Sequence, residues 1–243
     1  MRILVLSDVH ANLPALEAVL ADAADSYDQI WNLGDTVGYG PFPNECMLKL
    51  NEIASIQLAG NHDLASVGAV PTTDFNPVAE AAALWTGKHL SNELKEQIKA
   101  RPGRVDLEGI TLAHGSPRDP IWEYVLDAVT ATKNMLHVEG DLCFVGHSHV
   151  ALFAAIRPGA TSASLYPLAA DETIDLQNAR MLINPGSVGQ PRDGDPRAAY
   201  ALFNTELQTV TGKRVSYDIE QTQREIRNAG LPERLATRLA TGR

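Results

Sequence analysis

Five short apolar runs in this chain each stop at a residue type that binds metals. Ile3-Leu4-Val5-Leu6 leads into Asp8 and His10, and Ile30-Trp31-Asn32-Leu33 into Gly34-Asp35. Ile56-Gln57-Leu58-Ala59 leads into Gly60-Asn61-His62-Asp63, Ile110-Thr111-Leu112-Ala113 into His114-Gly115, and Leu142-Cys143-Phe144-Val145 into Gly146-His147-Ser148-His149. Runs of this length read as buried strands. Helical stripes alternate with them. Leu16, Val19, Leu20 and Ala23 follow Asn12, a candidate cap, and Pro14, which suits a first turn; Cys46, Leu50 and Ile53 share one face after Pro43. Strand–helix alternation is the mark of an α/β fold, and in open α/β sheets ligands bind beyond the carboxyl ends of the strands.

The rhythm changes twice. Residues 71–100 read as a helical excursion: a loop at Pro71-Thr72-Thr73-Asp74, a stripe of Val78, Ala81, Ala82 and Trp85, and a second helix over Leu90–Lys99, beside the site mouth in the position of a lid. Arg104-Val105-Asp106-Leu107 then pairs with the run at Ile110 through a Glu108-Gly109 turn, and Ala128, Ala131, Met135 and Val138 form another helical stripe. Beyond Val150 the pattern is mostly β, with candidate strands at 151–156, 164–168, 173–176, 180–183, 199–203 and 209–216, an Asn184-Pro185-Gly186-Ser187 turn, and two closing helices at 219–229 and 232–240. No composition shift or linker cuts the chain, so 1–243 reads as one domain.

The totals narrow the partners. The formal net charge is −10, which argues against a polymeric nucleic-acid ligand, because such binding rests on a basic footprint. A phosphate substrate stays open, since bound cations reverse a local field. No apolar run reaches membrane-spanning length and the start enters a strand with no signal pattern, so no membrane partner and a cytoplasmic location are expected. Cys46 and Cys143 lack partner motifs and read as buried, reduced thiols.

Each motif alone is weak: an Asp-x-His pair on a surface, a Gly-Asp turn and a polar loop are all common. His147 and His149 are stronger, because alternate residues on an extended segment point the same way. Together they are specific. Five of the seven histidines fall at expected strand ends, leaving only His89 and His137 on helices. Asp8, His10, Asp35, Asn61, His114, His147 and His149 are too many ligands for one tetrahedral ion and suit two ions sharing a carboxylate. Paired ions sit roughly 3.5–4 Å apart and stabilise both the attacking and the leaving oxygens of an in-line displacement. The mixed N/O donor set fits Mn, Fe, Ni or Zn. Two divalent ions less two carboxylates leave about +2, enough to bind a phosphate and to turn a bridging water into hydroxide. His62 is the free imidazole able to protonate the leaving group. Asp63 has two readings: it holds the His62 tautomer, or it caps a helix.

The ordered set Asp8-x-His10, Gly34-Asp35, Gly60-Asn61-His62-Asp63, His114-Gly115 and Gly146-His147-Ser148-His149 resembles the calcineurin-like metallophosphoesterase superfamily, and Asn184-Pro185-Gly186-Ser187 extends the likeness over nearly the whole chain. The resemblance implies an αββα four-layer sandwich of two mixed sheets with a dinuclear site at the sheet edge. It implies Asp8, His10, Asp35 and His149 on one ion, Asp35, Asn61, His114 and His147 on the other, Asn61 also at the substrate, and His62 as general acid. Asp35 is followed by Thr36-Val37-Gly38-Tyr39, without the phosphate-clamping arginine of the protein Ser/Thr phosphatase branch, and Asn61-His62 by Asp63 instead of Glu. The chain therefore resembles the small, single-domain prokaryotic branch, whose members often cleave phosphodiesters with Mn or Ni added.

The expected function is hydrolysis of a small phosphodiester, possible nucleotides included, with two divalent ions, Mn first. A nuclease and a non-catalytic metal-binding scaffold for protein partners are the alternatives. Arg192 is a replacement anion contact, or a surface arginine paired with Asp193 or Asp195. Tyr39, Trp122 and Tyr124 adjoin ligand-bearing strands and either stack on a substrate ring or simply pack.

Overall fold

The computed structural model describes residues 1–243. In chain order the elements are β1 (Arg2–Leu6), α1 (Leu13–Asp22), β2 (Gln29–Asn32), α2 (Pro43–Ile53), β3 (Ile56–Gln57), α3 (Asn61–Ser66), α4 (Pro77–His89), α5 (Asn92–Ala100), β4 (Arg104–Leu107) and β5 (Ile110–Ala113). There follow α6 (Ala128–Met135), β6 (Leu142–Val145), β7 (Leu152–Ile156), β8 (Ser164–Pro167), β9 (Thr173–Asp175), β10 (Arg180–Asn184), β11 (Ala198–Asn204), β12 (Thr209–Val215), α7 (Ile219–Asn228), α8 (Glu233–Thr237) and a 3₁₀ turn, Arg238–Ala240.

Two six-stranded sheets result, in the orders β3-β2-β1-β11-β12-β9 and β4-β5-β6-β10-β7-β8. Both are mixed. β1, β2 and β3 run parallel, as do β5, β6 and β10, and the remaining pairings are antiparallel. Strand alternation explains the layers. Ile3 and Val5 of β1 point between the sheets, where they meet Trp31, Phe144, Ile183 and Phe203. Leu4 and Leu6 point the other way, onto Leu16 and Val19 of α1 and Cys46 and Leu50 of α2. On the far side Cys143 and Val145 meet Ala131 and Met135 of α6. Helices, sheet, sheet and helix form the expected four layers. Both cysteines are buried and free.

The centre of the inter-sheet core is an aromatic trio: Phe144 lies 5.4 Å from Phe203 and 6.2 Å from Trp31, ring to ring. Phe144→Ala is expected to destabilise the fold by about 3–5 kcal/mol, read as a lower denaturant midpoint with an unchanged slope.

Local chemistry places the ends. Asn12 accepts from the Ala15 amide and Pro14 occupies the first turn, so α1 starts as expected. The excursion at 71–100 is α4 and α5. The second helix starts at Asn92, not Leu90, because the Ser91 side chain caps it and Leu90 ends α4. His89 lies on α4, but His137 falls just beyond α6 in a turn. α4 packs Ala79 and Ala82 against Ile226, Leu235 and Leu239 of the closing helices, whereas Leu90, Leu94 and Ile98 pack on Val37 and Met47. No helix is long and apolar enough to cross a membrane.

Candidate metal centre

The parallel strands β1, β2, β5 and β6 point their carboxyl ends at one edge, where the two sheets meet. Cross-sheet hydrogen bonds join them there. His147 N donates to Asp8 Oδ2 at 3.0 Å, Ser187 Oγ to the Asp8 carbonyl at 2.8 Å, and Val188 N to the Ser7 carbonyl at 3.0 Å. Ser7 Oγ donates to Asp8 Oδ2 at 2.6 Å.

Seven sequence-selected side chains converge. Asp8, His10, Asp35 and His149 form one buried group, and Asp35, His114 and His147 another; within each, one donor atom per residue lies within 4.8 Å of the others. Asp35 belongs to both. Asn61 Oδ1 is 3.2 Å from His114 Nε2, beside the second group.

The hydrogen bonds fix which atom each ring presents. His10, His114 and His149 give Nδ1–H to the carbonyls of Val37, Leu33 and Gln190, at 3.1, 3.0 and 2.6 Å. Their Nε2 lone pairs therefore face the cluster. His147 is reversed: Nε2–H donates to the Trp122 carbonyl at 3.1 Å, which leaves Nδ1 as the ligating atom. Each carboxylate is likewise divided. One oxygen is held by protein, Asp8 Oδ2 as above and Asp35 Oδ1 by the His62 amide at 2.9 Å. The other, Asp8 Oδ1 and Asp35 Oδ2, is buried with no partner.

This arrangement suits cations. His10 Nε2 and His149 Nε2 sit 3.0 Å apart with both Nδ1 atoms already donating, so two lone pairs face each other. An unpaired buried acceptor costs about 1–3 kcal/mol. Burial, with neighbouring positive groups, holds His10 and His149 well below the ordinary imidazole range; burial lowers His114 too and takes His147 to about 3. All four rings are neutral at pH 7, the form that can bind a metal. Asp35 is raised well above the carboxylate range by burial, then by Asp63 and Asp8. Cations between these donors would satisfy the lone pairs and hold Asp35 ionised.

The backbone is strained at the same places. Asp8, His10, Asp35, His147 and His149 have φ of 54°, 49°, 51°, 65° and 59°. Non-glycine residues in this region are uncommon, and sparsely populated conformations of this kind cost about 1–3 kcal/mol each. Gly60 is required for another reason. A Cβ there would overlap the Asp35 carboxylate and the His114 ring.

The sequence model of the calcineurin-like phosphoesterase superfamily domain matches residues 1–208. The chain belongs to this superfamily. It is 38% identical over 249 residues to an uncharacterised protein of Methanocaldococcus jannaschii, covering 99% of this chain and 98% of the other. The crystal structure of a metallophosphoesterase from Sphaerobacter thermophilus is similar at a TM-score of 0.91 and 48% identity, covering 100% of this chain and 99% of that one. A hypothetical protein of Pyrococcus horikoshii shares the fold, with a TM-score of 0.80 and 21% identity over 100% and 98% of the two chains. Membership and the buried Asp/His cluster together support a metal-dependent phosphoric ester hydrolase.

Two expectations of this phosphoesterase's site need correction. Asp63 does not hold His62. Its Oδ1 accepts from the Val37 amide at 2.9 Å and its Oδ2 from the Gly60 amide at 3.1 Å, while His62 Nδ1 is buried with no partner. Asp63 is the carboxylate of a helix start, the second of its two readings, because α3 begins at Asn61 and needs its first amides satisfied. Arg192 is not a surface ion pair either. Asp193 pairs with Arg214 and Asp195 with Arg197, while Arg192 donates to Tyr39 Oη at 3.3 Å and Gln190 Oε1 at 3.2 Å.

His62 is held by tilted and edge-on packing among aromatic rings. Its ring lies 4.2 Å from Tyr39, 4.7 Å from Phe75 and 5.1 Å from His10, and a Cβ at Gly38, whose φ is +88°, would press on its Nδ1 at 2.9 Å. Tyr124 stacks parallel to His147 at 4.1 Å. Trp122 supplies the carbonyl above, on a loop anchored by Glu123, which Arg118, Asn134 and Ser116 hold at a pKa of about 2. Ser7, Val37 and Gln190 are structural partners of the site that sequence reading did not single out. No local pattern marks them: Val37 and Gln190 act through backbone carbonyls that accept from His10 and His149, and Ser7 through its hydroxyl on the neighbouring Asp8.

Proposed function

We propose that this protein is a dinuclear metal-dependent phosphodiesterase acting on a small substrate, with residues 1–243 working as one domain. The observation that carries the reading is Asp35, shared between both donor groups with Oδ2 buried and unpartnered. Asp8, His10, Asp35 and His149 would hold one ion, and Asp35, Asn61, His114 and His147 the other. Two bound divalent ions, Mn first among Mn, Fe, Ni and Zn, supply a strong nucleophile at neutral pH and positive charge against the phosphoryl oxygens. The chain's own residues do the rest. Asn61, beside His114, would also offer its amide to a phosphoryl oxygen.

His62 is the proton donor to the leaving oxygen. In the protein alone, burial and then Arg192 keep its ring neutral. An anionic substrate beside the ring favours the charged form, so His62 takes up its proton with the substrate. A protonated donor matters most for an alkoxide leaving group, which supports diesters of alcohols as substrates. Buried reduced thiols at Cys46 and Cys143 agree with a cytoplasmic setting.

The test is a hydrolysis panel. Protein is stripped, reloaded separately with Mn, Ni, Fe, Zn or Mg, and given bis(p-nitrophenyl) phosphate and p-nitrophenyl phosphate side by side. The expected result is metal-dependent cleavage with Mn fastest and the diester preferred. Preference for the monoester would overturn the diesterase assignment. No cleavage by protein shown to hold two ions would favour the scaffold reading.

A further inference from the structure

The chain is acidic overall, with a net charge of −10, yet one cleft of about 560 Å³ is lined by three arginines. Arg192, Arg234 and Arg238 share it with Tyr39, Tyr124 and Asn76. Elsewhere on the chain Arg118, Arg197, Arg214 and Arg227 each have a carboxylate partner. The three in the cleft have none. Arg192 donates to neutral oxygens, lies over the Tyr39 ring at 5.8 Å and has its Nε buried without a hydrogen-bond partner, and Arg238 Nε donates to the Arg243 carbonyl at 2.7 Å. Burial and then the nearby Arg192 bring Arg238 down to about 10, so these positive groups sense one another. Unpaired like charges gathered in one cleft are destabilising unless an anion joins them.

The cleft adjoins the metal centre. Tyr39, one wall, lies 4.7 Å from His10 and 4.2 Å from His62, and Tyr124, another, stacks on His147. The Arg192 amide donates to the His149 carbonyl at 3.0 Å. The first turn of α4, at Asn76–Val78, closes a third side and adds the positive end of a helix dipole. Arg234 and Arg238 are four residues apart, on one face of the closing helical piece. They lie beyond residues 1–208, the part of the chain that the family model matches.

We propose that this cleft binds a second phosphoryl group of the substrate, so that the protein acts on small phosphate esters carrying a further phosphate remote from the scissile one. The inference rests on the phosphodiesterase reading above and narrows its substrate class. Guanidinium forks match phosphate oxygens in geometry. A terminal phosphate carries about −1.5 to −2, which answers three arginines better than a single carboxylate does. The cleft's size is that of a small-molecule site, and the chain's net charge of −10 disfavours a polymeric anion.

The experiment compares thymidine 5′-(p-nitrophenyl phosphate) with the same compound carrying a 3′-phosphate, on manganese-loaded protein. The 3′-phosphate is expected to raise kcat/KM by at least about tenfold, the size of one charge-assisted hydrogen bond. Arg238→Gln and Arg234→Gln should each cut that ratio about fivefold or more, with Arg238→Lys keeping part of it. Arg234 is exposed, so its variant tests the idea without disturbing packing. Calorimetry on the protein as purified should show thymidine 3′,5′-bisphosphate binding more tightly than thymidine 5′-monophosphate, an advantage lost in both glutamine variants. Equal cleavage of both esters, with no binding advantage, would overturn the cleft assignment and leave the phosphodiesterase reading intact. A retained binding advantage with neither ester cleaved would support the cleft and overturn the reaction. An equal gain from a 3′-succinyl group would overturn the choice of phosphate.

Discussion

Asp35→Asn is expected to lower metal-dependent turnover by at least about 10³-fold while making the metal-free protein more stable. The two effects come from one geometry. Asp35 is shared by both donor groups, so its loss weakens both ions at once. Removing several kcal/mol of transition-state stabilisation is worth about three decades, at 1.36 kcal/mol each. The metal-free protein responds the other way. Asp35 is buried beside Asp8 and Asp63, and its Oδ2 lies 3.6 Å from His10 Nε2 and 3.5 Å from His114 Nε2, both lone-pair acceptors. Asparagine keeps the oxygen that accepts from the His62 amide and turns the other atom into a donor to those acceptors. Thermal melts with and without manganese separate the effects. Ions present at a hundredfold their Kd stabilise a fold by about 2.7 kcal/mol, and the variant should lose most of that gain from a higher starting Tm. A variant that still holds two ions per chain by elemental analysis, at unchanged affinity, would rule out the shared role.

For His62→Asn the expected loss depends on the leaving group. Cleavage of a diester with an alkyl leaving group should fall by about 10²–10⁴, the usual worth of a positioned general acid. Loss of p-nitrophenolate, which departs without a proton, should fall less than about tenfold on the same scale. Asparagine is preferred to alanine because the ring fills space between Tyr39 and Phe75, and an empty site there would disturb more than proton transfer. Metal content measured alongside shows whether the ligand set survives. Equal losses on both substrates would assign His62 to positioning.

Much of this was legible in the residues because the relevant signals are local. Runs such as Ile3–Leu6 and Leu142–Val145 announce buried strands, and their ends announce where ligands gather. Boundaries failed where a local rule was ambiguous: Leu90 continues an apolar pattern, but Ser91 supplies the cap that starts the next helix. Asp63 could be read two ways because the deciding partners, the Val37 and Gly60 amides, are brought to it by a neighbouring loop and its own turn. Arg192 was visible beside a turn motif, but its companions were not. Arg234 and Arg238 sit on a short helical piece with nothing to distinguish them until packing against α4 turns it toward the cleft.

The donor groups draw on both sheets, and His10 and His149 stand 139 residues apart. That separation sets the order of events during folding. Long-range contacts form late, because chain-closure entropy precedes any gain from them. The short stretches around Asp8-x-His10 or His147-x-His149 offer an ion only two donors each, so an unfolded chain captures it weakly and the ion cannot serve as a nucleus. Tight capture waits until β1 and β6 have docked. Metal retention would therefore work as an end-point check on assembly: a chain whose two halves had folded but not met would hold ions only weakly, and in a newly made population the loaded fraction would count the molecules that have finished.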